Sequence, residues 1–246
     1  MKLNLSKKII FSLYLFLAAF VVRLDAQVVD QTDQLRIFVW SDLDPYPGHF
    51  GDEENIPEND RKNEADDDFH KMFGYAIERT KQIAPYLLQG MLTGWNFEYT
   101  PYDKRRKVDE YWSFEEIREF NPDFNNFTVH SPEVIDDKLV CHVYCDRTES
   151  QKLEYKRWVS INHPRIKGNG SAPVSEGFEG IKKACSEACK NAVREYWRIY
   201  MKNKPKEISG SVLLIKAPRI YVKNGKYIVD LDFFLETDKI VEYTSF

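Results

Sequence analysis

Apolar and polar positions repeat along this chain with two different periods, and the period changes mark its elements. Leu35 to Trp40 (LRIFVW) is rich in β-branched and aromatic residues and predicts a first strand. Asp66, Asp67 and Asp68 are placed to cap a helix, because carboxylates meet free N–H groups and the positive dipole end there. Phe69, Met72, Phe73, Ala76, Ile77, Thr80, Ile83 and Leu87 then follow at three- and four-residue spacings. Pro85 is expected to kink or end that helix, since it lacks an N–H and crowds the preceding turn. Trp95, Phe97 and Tyr99 alternate with polar residues and predict a strand with one aromatic face.

Ser113 with Glu116 matches a capping box, predicting a short helix that ends before Asn121-Pro122. Phe124 to Val129, Leu139 to Cys145 and Tyr155 to Ile161 are further strand candidates. A second long helix is predicted from about Ser175 to Lys202, with Phe178, Ile181, Cys185, Ala188, Ala192, Tyr196 and Ile199 on its apolar face and Pro205 beyond its end. Asn224-Gly225 between Ile220-Tyr221-Val222 and Tyr227-Ile228-Val229 predicts a two-residue type I′ hairpin. Gly168-Asn169-Gly170-Ser171 reads as a flexible loop. Strands and helices mix without βαβ regularity, so the expected fold class is α+β: a mostly antiparallel sheet packed against two long helices.

The first residues change where such a fold would reside. Lys2, Lys7 and Lys8 precede the apolar run Ile9 to Val22, which is followed by Ala26-Gln27. That order is expected of a secretory signal peptide over 1–26, leaving a single domain over 27–246. The run is shorter than the about 20 residues a membrane span needs, so no stable membrane insertion is expected after cleavage, and the expected location is periplasmic or secreted. The formal charge of the whole chain is −4, which argues against a nucleic-acid partner. That charge is uneven: Asp42 to Asp68 holds eleven acids against two bases, most of them in a long irregular loop expected over 41–66. Opposite charge on one molecule favours ordered association with another protein.

Four cysteines fall as two pairs, Cys141 with Cys145 and Cys185 with Cys189. In an exported chain this points to disulfides. If 131–159 were helical, two bridges could close between antiparallel helices. If 139–145 is a strand, one bridge at most can form, because residues four apart lie about 13 Å from one another on a strand. Four buried, unpaired thiols are the remaining alternative. His142 between two of the cysteines lacks the usual zinc-ligand spacing, and Asp42-x-Asp44 with Gly48 matches a calcium loop only in part, so no metal and no cofactor is assigned. The histidines 49, 70, 130, 142 and 163 are isolated, and no nucleophile elbow, P-loop or dinucleotide motif is present. Asn126-Phe127-Thr128 and Asn169-Gly170-Ser171 match the glycosylation pattern.

Ten aromatic residues crowd between Trp95 and Phe127, beside the run Lys104-Arg105-Arg106-Lys107. Tyr102, Lys104, Arg105, Arg106, Tyr111 and Trp112 are therefore the candidate binding residues, since aromatics and arginine dominate binding hot spots. The stretch GWNFEYTPYDKRRKVDEYW (94–112), in an exported chain, resembles the periplasmic flagellar coiling and sheath proteins of spirochaetes, which coat the filament. The resemblance is confined to these residues and carries no diagnostic motif, and two long helices depart from the jelly-roll sheath family. It implies a non-enzymatic coat or assembly role by contact with other envelope or filament proteins, and it assigns no catalytic residue. Association of this kind is the first expected function. The second is a small-ligand or carbohydrate binder with a pocket between helix and curved sheet. The third is a hydrolase using Asp42, Asp44, Glu98, Asp230 and Asp232.

Overall fold

The computed structural model describes residues 32–45, 64–160, 162–201 and 203–243, with side chains of the first helix described from residue 72 onward. The proposed leader, most of the acidic segment with His49 and Gly48, and the side chains of Asp66, Asp67, Asp68 and His70 lie outside the described residues. All described elements belong to the compact unit Gln31–Phe246.

Two antiparallel sheets form the frame. The smaller has three strands: β1 (Gln34–Asp42), β4 (Phe127–Ile135) and β5 (Lys138–Asp146), in the order β1-β5-β4. Leu35, Ile37, Val39 and Ser41 face inward from β1, whereas Phe38 is half exposed on the other side. The larger has six: β2 (Trp95–Thr100), β3 (Tyr111–Glu116), β6 (Arg165–Pro173), β7 (Glu207–Leu214), β8 (Arg219–Lys223) and β9 (Lys226–Val241). Its order is β3-β2-β7-β9-β6, with β8 added to β9. The predicted hairpin joins β8 to β9: Asn224 and Gly225 both take positive φ, 53° and 68°, as a type I′ turn requires. Tyr227, Val229, Leu231 and Phe233 are buried on one face of β9, as their alternation predicts.

Three helices complete the described residues: α1 (Glu64–Leu92), α2 (Glu149–Trp158) and α3 (Gly177–Tyr200). The expected plan of one sheet on two long helices is thereby corrected, among the described residues, to nine strands in two sheets with three α-helices. α1 is divided by non-helical backbone at Phe73 (φ −119°, ψ 21°), so α3 is the one long unbroken helix among the described residues. An α+β description still covers the whole. Pro85 does not end α1, which continues to Leu92. An internal proline costs about 3 kcal/mol. Burial of Ile83, Leu87, Leu88 and Met91 on the same helix stabilises by about 1.5–3 kcal/mol each and outweighs it.

Other local expectations lost to tertiary contacts. The Ser113–Glu116 capping box is part of strand β3, not a helix, because Trp112 and Phe114 stack on the β2 aromatics: Phe97 to Trp112 at 5.7 Å and Trp95 to Phe114 at 5.1 Å between ring centroids. The strand expected from Tyr155 begins within helix α2. There Thr148 accepts from the Gln151 N–H while the Gln151 side chain accepts from the Thr148 N–H, a capping box written in the sequence as T-E-S-Q. The strand placed at Phe124 starts at Phe127 and runs through a bulge between His130 and Glu133. Gly168 to Ser171 is not a loop but the middle of β6, paired to Leu231 through Ile228 of β9. A Cβ on Gly168 would collide with the Ala188 carbonyl, and one on Gly170 with that of Ala184. The two glycines therefore let the α3 backbone approach the sheet closely.

All four cysteines are buried free thiols, so the expected disulfides among Cys141, Cys145, Cys185 and Cys189 are not present. Residues 138–146 are a strand and 177–200 a helix, so strand spacing rules out two bridges between them, and a single one is not formed either. Burial pushes the Cys145 and Cys185 thiols up to about 12, and Cys141 and Cys189 also up, so all four stay protonated and unreactive at neutral pH.

Candidate functional site

The basic, aromatic turn after β2 is built by one carboxylate. Asp103 Oδ1 accepts from the backbone N–H of Arg105 and Arg106, at 2.9 and 3.2 Å, and Oδ2 pairs with the Arg106 guanidinium at 2.6 Å. That hydrogen bond from Arg106 holds the Asp103 carboxyl below its ordinary value. The Arg106 guanidinium also lies 4.2 Å from the Tyr243 ring centroid. Tyr102 and Tyr111 are half exposed, and Lys104 and Arg105 are exposed beside them. Trp112 does not join them as a surface anchor. It stacks on Phe97 and Phe114, and its indole N–H donates to Ser186 Oγ on α3 at 2.8 Å, which makes it part of the packing.

A second region carries more chemistry. The C-terminal end of β1, the middle of α1, the first turns of α3, β6, β9 and the 216–220 segment leave between them an open cavity of about 910 Å³. That lies at the upper end of ordinary small-molecule pockets, about 300–1,000 Å³. Tyr75, Arg79, Ile83 and Leu87 line it at a four-residue spacing along α1. The buried Arg79 guanidinium donates to Gln82 Oε1 at 3.0 Å and to the Tyr75 hydroxyl at 3.4 Å, and stands 5.2 Å from the Tyr75 ring centroid. Trp40 closes one side. Its indole N–H donates to the Ile220 carbonyl at 3.1 Å, and Lys138 Nζ sits 4.9 Å from its ring.

Two titrating groups of the cavity are displaced from their ordinary values. Burial raises the Asp42 carboxyl, with nearby Lys138 opposing and Asp137 adding to the shift. Burial pushes the Tyr227 hydroxyl up to about 12, helped by the negative charge of Asp42. At the mouth, Asp232 pairs with Lys216 at 2.9 Å and Lys167 at 3.6 Å, and Asn169 donates to Asp230 at 2.6 Å.

Of the five carboxylates named as hydrolase candidates, Asp42, Asp230 and Asp232 line this cavity, while Asp44 and Glu98 are exposed elsewhere. Among the described residues no three His, Cys, Asp or Glu side chains converge as a metal site. His142 is exposed on β5, opposite in face to its cysteine neighbours, and packs 5.3 Å from the Phe38 ring. Sequence reasoning missed Trp40, Tyr75, Arg79, Tyr227, Lys216 and Arg219 as site residues. For Arg79 a signal existed, an arginine inside the i, i+4, i+8 ladder of Tyr75, Arg79 and Ile83. For Lys216 and Arg219 there was none, since they join the site only through the pairing of β8 with β9.

A protein-family model matches residues 23–243 of the chain. An uncharacterized protein of Treponema pallidum (strain Nichols) is 22% identical over 212 residues, covering 86% of this chain and 83% of that protein. No solved structure matches. Among the described residues no helix is long and apolar enough to cross a membrane.

Proposed function

The chain belongs to the family whose model covers residues 23–243, and from that premise we propose that it is an exported, non-enzymatic protein that holds a small ligand in the cavity between α1, α3 and the two sheets. One observation carries this reading. Trp40, Tyr75, Ala217 and Ile220 are half-buried, and together they line an open volume of about 910 Å³ above the packed core. A concave, largely apolar and aromatic lining with a few polar groups at its edge suits a small-molecule occupant. Export rests on the signal-like residues 1–26, and N-terminal sequencing of the secreted chain should begin at Gln27. The direct test is thermal denaturation against a panel of amphiphiles, sugars and amines. A ligand present at 100 times its Kd stabilises by about 2.7 kcal/mol. A panel that leaves the midpoint unmoved refutes a ligand-binding role.

A second reading, association with envelope or filament proteins, is favoured by the half-exposed Tyr102 and Tyr111 beside exposed Lys104 and Arg105. Its flagellar form draws on the resemblance of residues 94–112, and on a relative from a spirochaete. Reversing the charge at Lys104 and Arg105 should abolish capture of envelope partners; capture that survives the change removes these residues from the interface.

A further inference from the structure

We propose that His130 and His142, facing each other across strands β4 and β5, form an exchangeable site for a divalent transition cation that favours imidazole ligands, Cu2+ or Zn2+. The site is separate from the cavity, since neither histidine lines it.

Along the sequence the two histidines stand apart, but the β4–β5 pairing makes them direct cross-strand partners. Residues directly opposite on an antiparallel pair hold their Cβ atoms about 4.5–5.5 Å apart. Two imidazoles that start so close can reach one ion, for which the metal–nitrogen distance is about 2.0–2.1 Å with zinc. Both histidines are exposed, whereas Cys141 and Val143 beside His142 are buried on the other face of the strand. An ion therefore arrives from water and displaces nothing from the core.

The neighbours of both rings restrict how they stand. His142 lies opposite Phe38 of β1 as well as His130, and its ring centroid is 5.3 Å from that of Phe38. The His130 ring meets Tyr144 edge to face at 5.0 Å, and its Nε2 is 3.1 Å from Thr128 Oγ1. When Nε2 carries the proton of that hydrogen bond, Nδ1 keeps the lone pair that a metal needs. A bulge follows His130 at once, with Ser131 at a φ of 49°, and bulges re-aim the side chains beside them.

The donor set selects the ion. Imidazole nitrogen suits copper, zinc and nickel, whereas calcium and magnesium take oxygen ligands. The four thiols are buried and do not compete. Among the described residues no third His, Cys, Asp or Glu joins the pair. Water then fills the other positions, so the ion exchanges with solvent and is no structural clamp.

The measurement is calorimetric titration of the untagged, full exported chain with CuCl2, ZnCl2 and CaCl2, together with electron paramagnetic resonance of the Cu2+ form. Cu2+ is expected to bind more tightly than Zn2+, and Ca2+ not to bind at this pair. The Cu2+ spectrum should show coupling to two imidazoles, and affinity should fall below a pH of about 6 as the rings take up protons. His130→Ala and His142→Ala, both at exposed positions, should each weaken Cu2+ about tenfold or more and leave one imidazole in the spectrum. The melting midpoint without metal checks that each variant is folded. Undiminished Cu2+ and Zn2+ affinity in the double variant would place the ions elsewhere and overturn the site. A wild-type spectrum with fewer than two imidazoles would overturn the shared coordination, and loss of Cu2+ in only one of the two single variants would do the same.

Discussion

Helices α1 and α3 meet their sheets in opposite ways. α3 lies against β6 with Ala184, Ala188 and Ala192 facing Gly168 and Gly170, so the helix backbone itself touches the sheet there. α1 packs on β1, β5 and β7, and its Tyr75 and Arg79 border an open cavity of about 910 Å³ with Trp40 and the 216–220 segment. Both are helix-on-sheet contacts in one hydrophobic core. The difference lies in residue size at the contact: glycine and alanine seal, whereas large and polar residues that cannot interdigitate leave room. Sealing serves rigidity, and the unsealed side is where a ligand can enter.

The sharpest way to break this contrast is to put bulk into the sealed side. Gly170→Val should destabilise by about 3 kcal/mol or more, or prevent folding, because its Cβ collides with helix backbone that cannot yield without moving α3; chemical denaturation reads this. Truncation should then separate two positions on α1. Leu88→Ala, fully buried away from the cavity, should cost about 3–4 kcal/mol, the usual result of leaving a new void. Tyr75→Ala, half-buried at the cavity, should cost less, because the lost side chain opens onto space that already exists. Equal losses at the two positions would mean that the cavity is closed in solution.

The thiols test the sealed side without a mutation. Cys185 and Cys189 are wholly buried on α3, and burial raises both thiols. A thiol reagent should find no reactive group in the native chain and four after denaturation, with the same intact mass under reducing and non-reducing conditions. The smallest effect belongs to Asp42 at the open side. Its folded-state carboxyl is raised, so the folded chain binds more protons than the unfolded one just above the ordinary carboxylate range. Stability contributed by this group falls as pH rises through that window and is recovered below it. Asp42→Asn should accordingly raise the melting midpoint at neutral pH and leave it unchanged in acid. A lower midpoint at neutral pH would show that attraction to Lys138 exceeds the cost of burial.

Much of the frame was legible locally because its causes are local. The β8–β9 turn needs two positive φ values, and Asn224-Gly225 supplies them. α3 carries its apolar stripe over many turns, and β1, β2 and the first half of β9 alternate between buried and more exposed positions. Elements were misread where two local signals competed. Ser113 and Glu116 suit a helix start, but Trp112 and Phe114 gain more by stacking on Phe97 and Trp95. Around Tyr155 the large residues suggested a strand, whereas the structure starts a helix there from a Thr148–Gln151 capping box that the reading of the sequence did not include. Two glycines in four residues looked like a loop, and only the arrival of α3 explains them as strand.

By itself, then, the sequence determined the alternations, the turn chemistry, the two helical stripes and the uneven charge, because each depends on neighbours within a few residues. The tertiary structure alone decided that the strands divide into two sheets, that the four thiols lie buried and apart, and that Asp42, Arg79, Lys216 and Asp232 border one cavity. Those residues come from four separate segments, and what joins them is the packing of layers whose contacts have no local periodicity to announce them.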